Sequence, residues 1–117
     1  MHLEQRIVGD VAIVAISGEM TLKKGGDVVL PDNVRSLIQT GHRKVLLDLA
    51  DVSYVDSAGL GQLVQAHSTA KNGGASLKVF NPTARLRDLL VLTRLTTVLG
   101  MYDDEAQALA SFNTPRA

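Results

Sequence analysis

The sequence predicts an α/β protein: one mixed, mostly parallel sheet of about five strands, with about four helices. Three observations predict it. Short runs rich in Val, Ile and Leu alternate with amphipathic stretches along the chain. The resulting order (strand, strand, helix, strand, helix, strand, helix, strand, helix) implies right-handed crossovers and parallel neighbours. The first two strands are separated only by Gly9-Asp10, which makes that pair an antiparallel hairpin and the sheet mixed. The chain has 117 residues, which fits a single domain over 1–117, and it shows no internal repeat, linker or low-complexity segment.

Glu4 to Val8 and Val11 to Ser17 are the two hairpin strands. In the second, Val11, Ile13 and Ala15 share one face and Ala12, Val14 and Ile16 the other. Both faces are apolar, so this strand belongs in the sheet interior. Gly18-Glu19-Met20-Thr21 ends it, and Leu22 to Asp27 reads as a mobile connection. Gly25-Gly26 lacks the Gly-Lys-Ser/Thr ending that grips phosphate and magnesium, so a connecting loop is the plainer account.

Leu30, Val34, Leu37 and Ile38 form a helical stripe from about Pro31, or from Asp27, to Thr40, with Gly41 as the stop. Val45 to Leu49 is the central strand. Leu60, Leu63, Val64, His67 and Ala70 mark a second helix that starts near Ser57 and stops at Asn72-Gly73-Gly74. Leu77 to Phe80 is a strand. Asn81-Pro82-Thr83 opens a third helix with Leu86, Leu89, Leu90 and Leu95 inward, and Thr96 to Met101 is a short closing strand. Asp103-Asp104-Glu105 begins a last helix carrying Ala106, Leu109 and Ala110, with acids where the helix dipole favours them. The ordered part is expected to run from about 3 to 112, with a frayed tail over 113–117.

Composition narrows the function. Twelve basic and twelve acidic residues give zero formal net charge, which argues against nonspecific nucleic-acid binding. With two Phe, two Tyr and no Trp, stacking platforms for single strands are missing. No cysteine is present, so there is neither a disulfide framework nor a cysteine metal site. No apolar run approaches the ~20 residues that span a bilayer, and the N-terminus lacks signal-peptide character. A cytoplasmic protein without membrane attachment is the expectation.

The stretch from Asp48 to Gly61 is the organising feature, because Asp56-Ser57 falls between the central strand and the second helix. Either residue is a good N-cap. Ser57 as an enzyme nucleophile would need a base, and His67 lies ten residues down the same helix, about 15 Å along its axis. His2 and His42 lie elsewhere, and Val55 stands where a nucleophile elbow needs glycine. Asp48, Asp51 and Asp56 suggest a magnesium trio, but Asp51 and Asp56 as turn and cap residues are the better reading, so no metal is expected. A helix N-terminus does suit a phosphoryl group, through its unpaired N–H groups and partial positive charge. A phosphate at Ser57 adds about −1.5 to −2 charges beside Asp56 and would repel a docked partner. The residues alone leave two roles for Ser57 open, a simple cap and a phosphorylation switch.

Asp51-Val52-Ser53-Tyr54-Val55-Asp56-Ser57-Ala58-Gly59-Leu60 resembles the signature of STAS domains, in particular the bacterial anti-sigma factor antagonists, which carry Asp-x-Ser-x-x-Asp-Ser-x-Gly-Leu at the start of the second helix. Gly18-Glu19 and Asn81-Pro82, with Leu86 and Leu89, also match that family's layout, and the resemblance runs from about Leu3 to Phe112. It implies a fold with helices packed chiefly on one side of the sheet. It also implies a partner switch with no enzyme activity and no cofactor. The unphosphorylated domain would bind an anti-sigma factor that is also a serine kinase, freeing the sigma factor. Phosphorylation of Ser57 would break that complex, and a phosphatase would reset it. By the same match the partner-binding residues are Thr21, Ser53, Asp56, Ser57, Ala58, Gly59 and Leu60.

One position departs from the family pattern. Phosphorylated members commonly read Gly-Glu-Leu-Asp after the second strand, whereas this chain reads Gly18-Glu19-Met20-Thr21. Loss of that acid weakens kinase docking or relieves repulsion on a phosphate, with Lys23 or Lys24 as its candidate counterion. Two readings follow: a phospho-switched antagonist, or a non-switching module that serves as a scaffold or senses a small anionic ligand or nucleotide near Ser57.

Overall fold

Val8 and Val11 are joined by a two-residue turn in which Gly9 takes φ +62° and Asp10 keeps a negative φ, the pattern of a type II′ hairpin turn. This turn launches the sheet in the computed structural model, which describes residues 2–21 and 29–113. Strands β1 (His2–Val8) and β2 (Val11–Met20) pair antiparallel, with Leu3 facing Ile16 and Arg6 facing Ile13. Strands β3 (Lys44–Val55), β4 (Ser76–Phe80) and β5 (Gly100–Tyr102) add in parallel, giving the spatial order β1-β2-β3-β4-β5.

Four helices complete the chain: α1 (Val29–Gln39), α2 (Ser57–Asn72), α3 (Ala84–Leu92) and α4 (Glu105–Asn113). Three of them share one face of the sheet. Ala12, Val14, Ile16, Val45, Leu47, Leu49, Leu77 and Val79 pack there against Leu30 and Val34 of α1, Leu63 and Ala66 of α2, and Leu86 and Leu90 of α3. On the other face Val11, Ile13, Leu46 and Phe80 meet Ala108, Leu109 and Phe112 of α4. The expected architecture is therefore observed, helices chiefly on one side included.

The structure corrects several boundaries. The central strand continues past Leu49 to Val55, and the second strand continues past Ser17 to Met20. Their pairing skips register between Ala15 and Ser17 and again between Gly18 and Glu19, so bulges interrupt the alternation that marks a strand. Asp51 consequently lies in a ladder opposite Ser17 and shapes no turn. Beyond α3, Arg94 takes a left-handed φ of 60° and Leu95–Thr97 forms a 3-10 turn, so the closing strand begins only at Gly100. In α4 the inward residues are Ala108, Leu109 and Phe112, while Ala106 and Ala110 are exposed. Expectations for the Leu22 to Asp27 loop, a helix start at Asp27, Lys23 and Lys24, and the tail beyond 113 lie outside the described residues.

Lys44, at the start of β3, donates to Asp10 in the hairpin turn. That hydrogen bond holds the Asp10 carboxyl below its usual 3.8 against the opposing effect of desolvation. Because the folded value lies below the unfolded one, the pair favours the fold above about pH 3.8. Its contribution disappears as pH falls through the depressed value. Lys44→Ala is expected to return the Asp10 carboxyl toward 3.8 in an NMR pH titration.

Candidate phosphoacceptor and partner-binding site

Asp56 follows β3 in extended conformation, φ −110° and ψ −176°, and turns the chain into α2. Its side-chain Oδ1 accepts the Gly59 N–H at 2.8 Å, while its carbonyl accepts the Leu60 N–H at 2.9 Å as the first bond of the helix. Asp56 is therefore the N-cap. Ser57, the first helical residue, is exposed, and among the described residues its hydroxyl makes no hydrogen bond. This bears directly on the two roles left open by the sequence, because the capping work falls to the neighbouring acid. Asp56→Ala is expected to cost about 1 kcal/mol of stability, read as a lower urea midpoint with unchanged slope.

A second contact fixes this corner from below. The Asp56 N–H donates to the Met20 carbonyl at 3.3 Å, so the last residue of β2 is tied to the mouth of α2. That carbonyl passes close beneath Gly59, where an added Cβ would lie only 1.8 Å from its oxygen. Gly59 is buried and presents no side chain to a partner; its task here is the close approach of β2 to the helix. Leu60 is half-buried and packs on the main core, and Ala58 is half-buried in the same first turn. Thr21, one residue beyond the Met20 carbonyl, is half-buried at the same corner.

Further exposed groups lie at this end of the sheet. Ser53 and Tyr54 leave β3 beside α2, and Tyr54 is 46% exposed, unusual for so large a ring. Together with Val52, Val55, Thr83, Arg85 and Leu86 they line a cleft of about 320 Å³. Thr83 caps α3 by accepting the Leu86 N–H at 3.3 Å. Only the fold adds Met20, Tyr54, Thr83 and Arg85 to this corner. Asn81-Pro82-Thr83 marks a helix start, but only the fold sets it beside Ser53. Glu19, opposite Tyr54 in the ladder, and Asp51 are exposed acids nearby in the strands, so this end of the sheet carries negative side chains.

The structure does not bring the three aspartates into a metal site. Asp48 turns its carboxylate to the Ala50 N–H at 3.0 Å, Asp56 caps α2, and Asp51 is exposed. Among the described residues no group of three or more His, Asp or Glu side chains is placed to hold a metal ion. Among the same residues, no helix is long and apolar enough to cross a membrane.

The STAS domain model matches residues 2–108. The anti-sigma-B factor antagonist of Bacillus subtilis is 35% identical over 86 residues, covering 74% of this chain and 76% of that protein. A crystal structure of a candidate anti-sigma factor antagonist from Thermotoga maritima has a TM-score of 0.82 at 25% identity, covering 96% of this chain and 95% of that one. The Bacillus cell fate determinant SpoIIAA in its phosphorylated form shares the fold, with a TM-score of 0.69 at 16% identity over 95% of this chain and 99% of its own. The chain belongs to the STAS domain family, among the anti-sigma factor antagonists.

Proposed function

We propose that this protein is a partner-switching antagonist of an anti-sigma factor, with Ser57 as the phosphoacceptor. The observation that carries the reading is the uncommitted, exposed hydroxyl of Ser57 at the first position of α2, beside a cap already supplied by Asp56. A kinase can reach such a hydroxyl without unfolding anything. The unphosphorylated surface, with Thr21, Ser53, Asp56, Ala58 and Leu60 around Ser57, docks an anti-sigma factor that is also a serine kinase, and the sigma factor is released. Phosphate at Ser57 places charge beside Asp56 at the centre of that contact and expels the partner. A phosphatase then restores the binding form. Support also comes from SpoIIAA, a protein of the same fold whose structure is known in unphosphorylated and phosphorylated forms.

In this reading the protein acts by binding, in the cytoplasm, and not as an enzyme; no base is hydrogen-bonded to Ser57 among the described residues. It contacts neither nucleic acid nor membrane, and it needs no cofactor.

The 320 Å³ cleft favours a second reading, a module that senses a small anionic ligand. Arg85 and the start of α3 would hold the anion there. Intact mass and partner pull-down from native cells separate the two. One added phosphate on wild type and none on Ser57→Ala, with a kinase-bearing partner captured, supports the switch. An unmodified protein that retains a ligand lost in Arg85→Ala supports the sensor.

A further inference from the structure

Strand β1 stands at the edge of the sheet, and among the described residues nothing pairs with its outer side. Open edges are usually blunted by charge, since a row of like charges cannot meet a second copy of itself. The charges on β1 do not work that way. A two-residue hairpin turn closes on a hydrogen-bonded pair, here Val8 with Val11. The β1–β2 register is regular from there to His2, so alternate residues Arg6, Glu4 and His2 exchange their backbone bonds with β2. Leu3, Gln5 and Ile7 therefore turn N–H and C=O outward to the open edge.

Those three residues sit symmetrically about Gln5. We propose that β1 pairs antiparallel with β1 of a second copy of this chain, across a two-fold axis at Gln5, joining two sheets into one. In that register Gln5 faces Gln5, and Leu3 faces Ile7 of the other copy, both in the hydrogen-bonded positions that the edge offers. Glu4 faces Arg6 in the closer non-hydrogen-bonded position, so opposite charges meet twice. The same register covers Ile7, which is 50% exposed on the lone chain. Arg6 already holds Glu105 of α4 and Glu4 lies near His2, so each charge keeps a partner within its own chain when the copies separate. A seven-residue edge buries less area than the ~1,200–2,000 Å² of a stable complex, so the dimer is reversible and concentration-dependent. The axis lies two strands away from β3, so both Ser57 sites stay open.

Sedimentation of the full chain over a wide concentration range tests this, with two variants. Gln5→Pro removes an N–H that β2 does not use, and proline is tolerated on such an edge. Glu4→Arg sets like charges opposite one another without touching the core. Wild type is expected to move from one-chain to two-chain mass as concentration rises, and both variants to remain at one-chain mass with unchanged circular dichroism. A wild type of one-chain mass throughout overturns the proposal. So does a two-chain species indifferent to Glu4→Arg, which would place the contact on another surface.

Discussion

Gly59→Ala is expected to cost about 3 kcal/mol of stability, the largest loss from any single-methyl addition at the site. The new Cβ would lie 1.8 Å from the Met20 carbonyl oxygen, 2.7 Å from its carbon and 2.9 Å from Val55 Cγ2. Two of these atoms are backbone, so no side-chain rotation relieves the clash. Either β2 withdraws from α2, losing the Asp56 N–H bond to Met20, or the first helical turn lifts away and uncaps. Gly61, two residues on, is the internal control. It is an exposed helical glycine with nothing within 4 Å of its added Cβ, so Gly61→Ala is expected to stabilise by about 0.5–1 kcal/mol. Urea unfolding of the two variants reads the contrast directly. Equal midpoints would mean that the close approach of β2 to α2 does not exist.

Ser57→Asp is expected to weaken binding to the anti-sigma partner by about a thousandfold, roughly 4 kcal/mol, while leaving the free protein as stable as wild type or slightly more so. The two effects separate because they act on different states. In the free protein, an acid at the first helical position faces solvent and the positive end of the helix, which favours it by about 0.3–1 kcal/mol. In the proposed complex the same charge would be desolvated beside Asp56, which repels it. Ser57→Ala removes an exposed hydroxyl that makes no hydrogen bond among the described residues, so it should retain the partner. Calorimetric titration of each variant, with thermal melts as controls, distinguishes a charge effect on docking from damage to the fold. A Ser57→Asp protein that binds as tightly as wild type would remove charge repulsion from the mechanism.

Local signals made the hairpin turn, the helix stripes and the stop after α2 legible, because each depends on residues close in sequence. Leu63 and Ala70 follow helical periodicity into the main core, and Gly9 carries the positive φ that its turn demands. The lengths of β2 and β3 were not legible. Their bulges space Leu49, Val52 and Val55 at intervals of three, which reads as neither strand nor helix. Thr96-Thr97-Val98 carries β-branched residues suited to a strand, yet Arg94 in its left-handed conformation sends part of that stretch into a 3-10 turn. In α4 small residues surround the inward stripe, so its phase is set by Ile13, Leu46 and Phe80 across the sheet. At the site, the Asp-Ser pair pointed to the helix start but could not assign the cap. Only the geometry gives it to Asp56 and shows what Gly59 is for.

The most direct test of the partner switch is reconstitution with the cognate anti-sigma kinase. The complex is formed first with wild-type protein and with Ser57→Ala, and ATP is then added while the mass of each complex is followed. The switch predicts that wild type gains one phosphate, mapped to Ser57, and leaves the complex, whereas Ser57→Ala stays bound. Wild type that remains bound after phosphorylation, or Ser57→Ala that is released by ATP, would contradict it.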